Sequence, residues 1–197
     1  MYQKIITIVL FMGLLIWNPY PFQVLELKTF DWFIMNTEPV QNDNIVIVDL
    51  DEEFIKDYKG WPLPRTAFAD LIATTRAVSG ITVLMPNPDI RNTGNDEVLA
   101  LRMNYTPTVL ASAASTQVTG TNPHVGTAQL GEDPLPWLYQ YPGILPTESM
   151  LASKAKGLGV VTATPEIDGV TRRIPLVVNV GSKLYPSFGL ELLRVGT

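Results

Sequence analysis

Cysteine is absent from the 197 residues. That excludes a disulfide scaffold, a Cys-ligated zinc site and a thiol nucleophile. Histidine occurs once, as His124 in a Pro/Gly-rich stretch. With no second His or Cys near it there is no metal-site spacing, and a solvated imidazole is the expectation. Charge is scarce, at 17% of residues, and positive charge is scarcer than negative. The 14 Lys and Arg against 19 Asp and Glu leave a net charge of -5 and a pI of about 4.8. The basic footprint of a nucleic-acid-binding protein is missing, so no nucleic-acid partner is expected. No Walker loop, dinucleotide fingerprint or Ser–His–Asp elbow can be found, and no cofactor is expected.

Apolar residues make up 46% of the chain, and its length is enough for one domain with a real core. Residues 5–17 (IITIVLFMGLLIW) form a run of thirteen without charge. Lys4 precedes the run, while Glu26 and Asp31 follow it. That asymmetry favours an N-terminus in the cytoplasm with the remainder outside. At 1.5 Å per residue the run covers only ~20 Å of a ~30 Å hydrocarbon core. A membrane helix is therefore expected to extend through Pro19 to about Val24, with Trp17 and Tyr20 at the interface. No small-x-small cleavage pattern lies between Trp17 and Leu27, which favours an uncleaved anchor over a signal peptide. The expected division is an anchor over 1–24 and a folded domain over 25–197.

Residues 23–33 place Val24, Leu27, Phe30 and Phe33 near helical spacing, and the turn-rich stretch 37–44 ends that helix. The β-branched run Ile45–Leu50 reads as a strand buried on both faces. Asp49 and Asp51 would then sit at its carboxyl end, the edge where open α/β sheets bind ligands. Pro64 suits a first helical turn, and Phe68, Leu71, Ile72 and Val78 share a face before Gly80 stops the helix. A second parallel strand over 81–85 would complete a βαβ unit. A short helix at 96–104, a strand at 107–115 and a long loop with short strands over 116–146 follow. Thr147 caps another short helix that Gly157 stops. Two strands joined at Asp168-Gly169 read as a hairpin, Gly181-Ser182 turns the chain again, and 186–194 begins a helix. The expected fold class is α/β: a mixed sheet flanked by helices with a C-terminal β-hairpin, preceded by one transmembrane helix.

Three clusters could carry chemistry. A hydrophobic strand ending in Asp49-x-Asp51 resembles the first motif of haloacid-dehalogenase-type phosphohydrolases. There one carboxylate attacks phosphorus and the other serves as acid/base beside magnesium. The bland reading is that one of the two caps the following turn. Arg65, in GWPLPR, opposes the dipole at its helix start. A carboxylate should offset it, with Asp49 and Asp51 the nearest candidates because a βα unit brings the strand's end close to the helix start, in a fork that fixes the loop. Otherwise Arg65 is an anion-binding arginine, with Trp61 beside it. Arg172 and Arg173, in IDGVTRR, point to opposite faces if the segment is a strand, so one could enter a pocket. Either could equally pair with Glu166 or Asp168.

FDWF (30–33), IVIVDLDE (45–52), GWPLPR (60–65), Asp96, TVLA (108–111), LGVVTATPEIDGVTRRIPL (158–176) and LYPSFGLELL (184–193) occur in that order. Together they resemble the second class of CHASE domains, the extracellular sensory domains associated with bacterial cyclases and histidine kinases. The resemblance covers about 25–195. It implies an N-terminal membrane helix, a domain outside the membrane, and further membrane helices leading to a cytosolic cyclase or kinase beyond Thr197. The positions that match family motifs are Asp31, Asp49, Asp51, Trp61, Pro62, Arg65, Asp168, Gly169, Arg172 and Arg173. Family members commonly carry an Asp on the second strand, where this chain has Met85 and Asn87.

The resulting expectation is a non-catalytic, periplasmic sensor at the cytoplasmic membrane. Its partners would be a small-molecule or anionic ligand, the membrane and a second copy in a homodimer. Its ligand would meet Asp49, Asp51, Trp61, Arg65, Asp168, Arg172 or Arg173. A phosphohydrolase using Asp49 and Asp51, or an interaction scaffold without a pocket, is the alternative.

Overall fold

A computed structural model describes residues 2–39, 42–75, 77–117, 120–123 and 129–197. His124 lies outside them. The chain divides into two compact units, Met1–Val48 with Pro165–Arg172, and Asp49–Thr164 with Arg173–Thr197.

The first unit contains helices α1 (Tyr2–Trp17) and α2 (Tyr20–Met35), each of 16 residues. The single helix expected through residue 24 is broken at Asn18, which has a φ of 39° and is followed by Pro19. Proline lacks the N–H that would continue the ladder and disfavours α geometry in the residue before it. No helix among the described residues is long and apolar enough to cross a membrane. The run Ile45–Val48 is a second departure. It forms no strand, and its four side chains are between 62% and 87% exposed. β-branched residues favour the extended backbone, but a strand exists only where a neighbour completes its ladder. Nothing among the described residues pairs with this run.

The second unit begins with α3 (Glu52–Asp57) and α4 (Arg65–Thr74). Strand β1 (Ser79–Ile81), helix α5 (Gly94–Met103) and strand β2 (Thr108–Ser115) follow. A 3₁₀ turn at Leu135–Trp137 leads to β3 (Gln140–Tyr141) and β4 (Gly143–Leu145). Helix α6 (Ser149–Lys154), strands β5 (Gly157–Val160), β6 (Val177–Val180) and β7 (Lys183–Pro186), and helix α7 (Phe188–Gly196) complete it.

Strand β2 is central to the first sheet. It pairs in parallel with β1 through Gly80↔Val109 and with β5 through Leu110↔Leu158, and its end pairs antiparallel with β4. The second sheet runs β3-β6-β7, with β3 parallel to β6. Mixed α/β architecture is thus present, in two mixed sheets where one was expected. The C-terminal hairpin is β6–β7, closed at Gly181 and Ser182 with φ values of 55° and 65°. Two successive positive φ angles match the twist of the flanking strands. Asp168-Gly169 does form a turn, with Gly169 at φ 81°. The residues beside it are not strands, and β5 and β6 belong to different sheets.

Apolar periodicity places the core. Phe68 and Ile72 of α4, Leu99 and Met103 of α5, Leu151 of α6, Leu110 of β2 and Leu158 of β5 form one buried cluster. Ile144, Val160, Val178, Val180 and Tyr185 form a second. Gly159 lets α7 lie directly on β5: a Cβ there would stand 2.9 Å from the Phe188 backbone nitrogen. A strand glycine commonly marks such a close backbone approach. Two expected stops move. Helix α4 ends at Thr74, leaving Gly80 to β1, and α6 is capped by Glu148, whose side chain accepts from Leu151 N, not by Thr147.

Candidate functional site

The segment before α4 carries the positive-φ residues Lys59 and Gly60 and a cis Trp61–Pro62 peptide. It delivers Arg65 as the first residue of α4, with Pro64 at the capping position. Proline has no side-chain oxygen with which to cap a helix. The missing acceptor comes from elsewhere in the unit: Asp89 Oδ2 accepts the Arg65 backbone N–H at 2.8 Å. The Arg65 guanidinium donates from Nε to Asp96 Oδ1 at 3.2 Å and from Nη2 to the Asn87 carbonyl at 2.9 Å. Asp96, in the first turn of α5, also accepts the Asp89 N–H through Oδ2 at 2.8 Å. The arrangement offsets the unfavourable arginine at the α4 N-terminus and places a carboxylate at the favourable end of α5.

All three side chains belong to buried residues, Arg65 at 8%, Asp89 at 5% and Asp96 at 3% exposed. Burial pushes the Asp89 carboxyl upward. Hydrogen bonds from the Arg65 N–H, the Asn95 amide and the Arg91 N–H outweigh burial and hold it below the usual carboxylate range. The Arg91 guanidinium donates to the carbonyls of Tyr58 and Gly60 and so fastens the turn before Trp61. Above this polar floor opens a cleft of about 170 Å³, walled by Trp61, Pro62, Leu63, Phe68, Leu84 and Ile90 among others.

A second constellation lies in the first unit. The Arg172 side chain is 5% exposed. It donates to both carboxylate oxygens of Asp31 on α2, at 2.6 and 2.8 Å, and to both of Asp168, at 2.8 and 2.7 Å. Glu166 Oε2 stands 3.5 Å away, and Lys28 is 3.9 Å from each aspartate. Two bidentate forks on one guanidinium form a strong, directional clasp. Hydrogen bonds from Arg172 hold the Asp31 carboxyl below its ordinary range and that of Asp168 well below it, and the two acids raise the Arg172 guanidinium in turn.

The remaining sequence candidates are dispersed. Asp49 is exposed at the start of the second unit. Asp51 is exposed and caps α3, accepting Phe54 N–H at 2.8 Å. Arg65 is matched by Asp96, not by either of these. Among the described residues, no group of three or more His, Cys, Asp or Glu side chains is placed to hold a metal ion. Arg173 is exposed on a segment that is not a strand. Sequence reasoning did not connect Asp89 and Asp96 with Arg65. The available signal was an acidic residue in the first turn of the next predicted helix. Nor did it foresee the buried Glu191 of α7, which takes two hydrogen bonds from Arg194 at 2.8 and 2.7 Å.

In the second unit, Arg65 is paired with the buried Asp96 beneath a small cleft with apolar walls. The family model described as CHASE2 domain matches residues 6–197. The chain belongs to the CHASE2 domain family, a family of extracytoplasmic, non-catalytic sensory domains. No curated protein and no solved structure matches it.

Proposed function

We propose that this chain is the ligand-sensing part of a membrane-anchored bacterial receptor, held outside the cytoplasmic membrane by its N-terminal segment. The ligand seats in the cleft beside Trp61 and Arg65. Its occupancy biases two conformations of the domain and so regulates a cytosolic nucleotide cyclase or protein kinase domain. The family match over residues 6–197 carries this reading. The exposed apolar side chains of Phe11, Met12, Ile16 and Trp17 on α1 favour contact with lipid for the N-terminal segment. Pairing of two copies belongs to the same proposal, because cyclase output domains work as pairs.

The absence of cysteine supplies the test. Ser153→Cys, at an exposed position of α6, gives the chain a single thiol. A membrane-impermeant maleimide added to intact cells is expected to label it without permeabilisation. Labelling that requires membrane disruption would place the domain in the cytosol and overturn the proposal.

A further inference from the structure

Arg65 lines the cleft with part of its guanidinium unused. Nε donates to Asp96 and Nη2 to the Asn87 carbonyl. Nη1, which carries two N–H donors, has no partner among the described residues. The buried side-chain atoms left without a partner among those residues are Asn122 Nδ2 and Asn179 Oδ1. Nη1 is not one of them, so it reaches solvent although Arg65 as a whole is 8% exposed. A cation held this firmly, with donors to spare, is fixed in place before any acceptor arrives.

The acids nearby do not use up this charge. Asp96 accepts from Arg65 Nε and the Asp89 N–H, and Asp89 accepts from the Arg65 N–H, the Asn95 amide and the Arg91 N–H, so every oxygen of the two carboxylates has a donor. The Arg91 guanidinium adds a second positive charge, bonded to the carbonyls of Tyr58 and Gly60. Arg65 and Arg91 thus balance Asp89 and Asp96. That one guanidinium holds two carboxylates is shown elsewhere in this chain, where Arg172 is bonded to Asp31 and Asp168 together. Arg65 has one such partner, Asp96. Around it Trp61, Leu84 and Ile90 stand exposed, with Leu63 and Phe68 buried behind them. Apolar walls with a few placed polar groups are the usual lining of a small-molecule site.

We infer that this cleft binds a monocarboxylate with an apolar body: the carboxylate accepts from Arg65 Nη1, and the body lies against Trp61 and Leu84. The half-open site leaves the outer carboxylate oxygen in water, so the charge is not stripped of all its hydration. Asp96 and Asp89 are positioning residues, which hold the guanidinium so that Nη1 stays available. A phosphate dianion is disfavoured, because it would bring more charge than one open donor edge can match and no apolar body for the walls. This inference rests on the sensory reading of the same cleft and gives that reading a ligand class.

Titration of the purified full chain tests it, read by ligand-observed NMR and by thermal shift. The probes are benzoate, phenylacetate and hexanoate, each paired with its own amide, and inorganic phosphate. At least one carboxylate is expected to saturate and to raise Tm. Its amide, of the same shape without the charge, should bind about tenfold more weakly, the difference between a charge-assisted and a neutral hydrogen bond. Leu84 is 36% exposed on the wall, so its replacement should leave the fold intact. Leu84→Glu puts a like charge in the cleft and should weaken the carboxylate at least tenfold relative to Leu84→Gln. The double variant Arg65→Met, Asp96→Leu should lose the preference for carboxylate over amide; if it does not fold, the Leu84 pair decides. Failure of all three carboxylates to saturate would overturn the inference. So would an amide or phosphate that binds as tightly as the best carboxylate, or carboxylate binding equal in Leu84→Glu and Leu84→Gln. None of these results alters where Ser153→Cys is labelled, so a wrong ligand class and a wrong cellular role are told apart.

Discussion

Replacing Asp96 by leucine tests whether the Arg65 pair organises the start of α4. Asp96 is 3% exposed and its carboxylate accepts two bonds, from Arg65 Nε at 3.2 Å and from the Asp89 N–H at 2.8 Å. Asp96→Leu removes both and leaves a buried guanidinium without its acid. Breaking a buried pair from one side costs about 3–5 kcal/mol. Arg65 keeps the Asn87 carbonyl and has Asp89 nearby, which places the expected loss toward the lower end, about 3–4 kcal/mol. The double variant Arg65→Met, Asp96→Leu removes the stranded charge as well. What stays behind is the Asp89 N–H, orphaned in Asp96→Leu as well, and the Asn87 carbonyl, whose loss adds about 1–3 kcal/mol, less than the stranded charge it replaces. The double variant should therefore be more stable than Asp96→Leu alone. Urea unfolding followed by circular dichroism, with unchanged m, gives the two differences. Thermal midpoints should fall by about 2–4 °C per kcal/mol lost for a chain of this size. A loss under about 1 kcal/mol for Asp96→Leu, or a double variant that equals the sum of its singles, would refute the coupling.

Arg172→Lys keeps the charge but cannot form two forks, so the Pro165–Arg172 loop should detach from α2. Hydrogen exchange at Gly169 and Val170 should quicken several-fold, and Asp31→Asn should reproduce the effect. The same clasp sets an acid limit. Asp31 and Asp168 have folded pKa values below their unfolded values of about 3.9. Their contribution is present above that pH and is lost as pH falls through the folded values, so protection of the loop amides relative to intrinsic exchange at the same pH should be flat from neutrality to about pH 4 and fall only in stronger acid. Gly159→Val forces a side chain against the Phe188 backbone, whose nitrogen would be 2.9 Å from the new Cβ. It should lower stability by about 1–3 kcal/mol, the usual cost of overpacking, measured by urea unfolding.

Local signals decided much of the secondary structure. The helix expected at 96–104 forms as Gly94–Met103, Gly181-Ser182 turns the chain, and the helix expected at 186–194 begins at Phe188, all marked by periodicity and turn residues. Each depends on contacts within a few residues, which the order of amino acids encodes directly. Strand identity at Ile45–Val48 was not legible, because a strand is a property of a pair and composition describes one member only. The family motifs likewise marked Arg65 and Arg172 as meaningful without naming what they touch. Their partners, Asp96 and Asp31, lie 31 and 141 positions away. Only the folded chain brings those carboxylates within hydrogen-bonding distance. It therefore fell to tertiary structure to decide that Arg65 is paired with Asp96 beneath a cleft with apolar walls and that Arg172 is a clasp. A guanidinium's chemistry is set by what neutralises it, and that neighbour is chosen by packing.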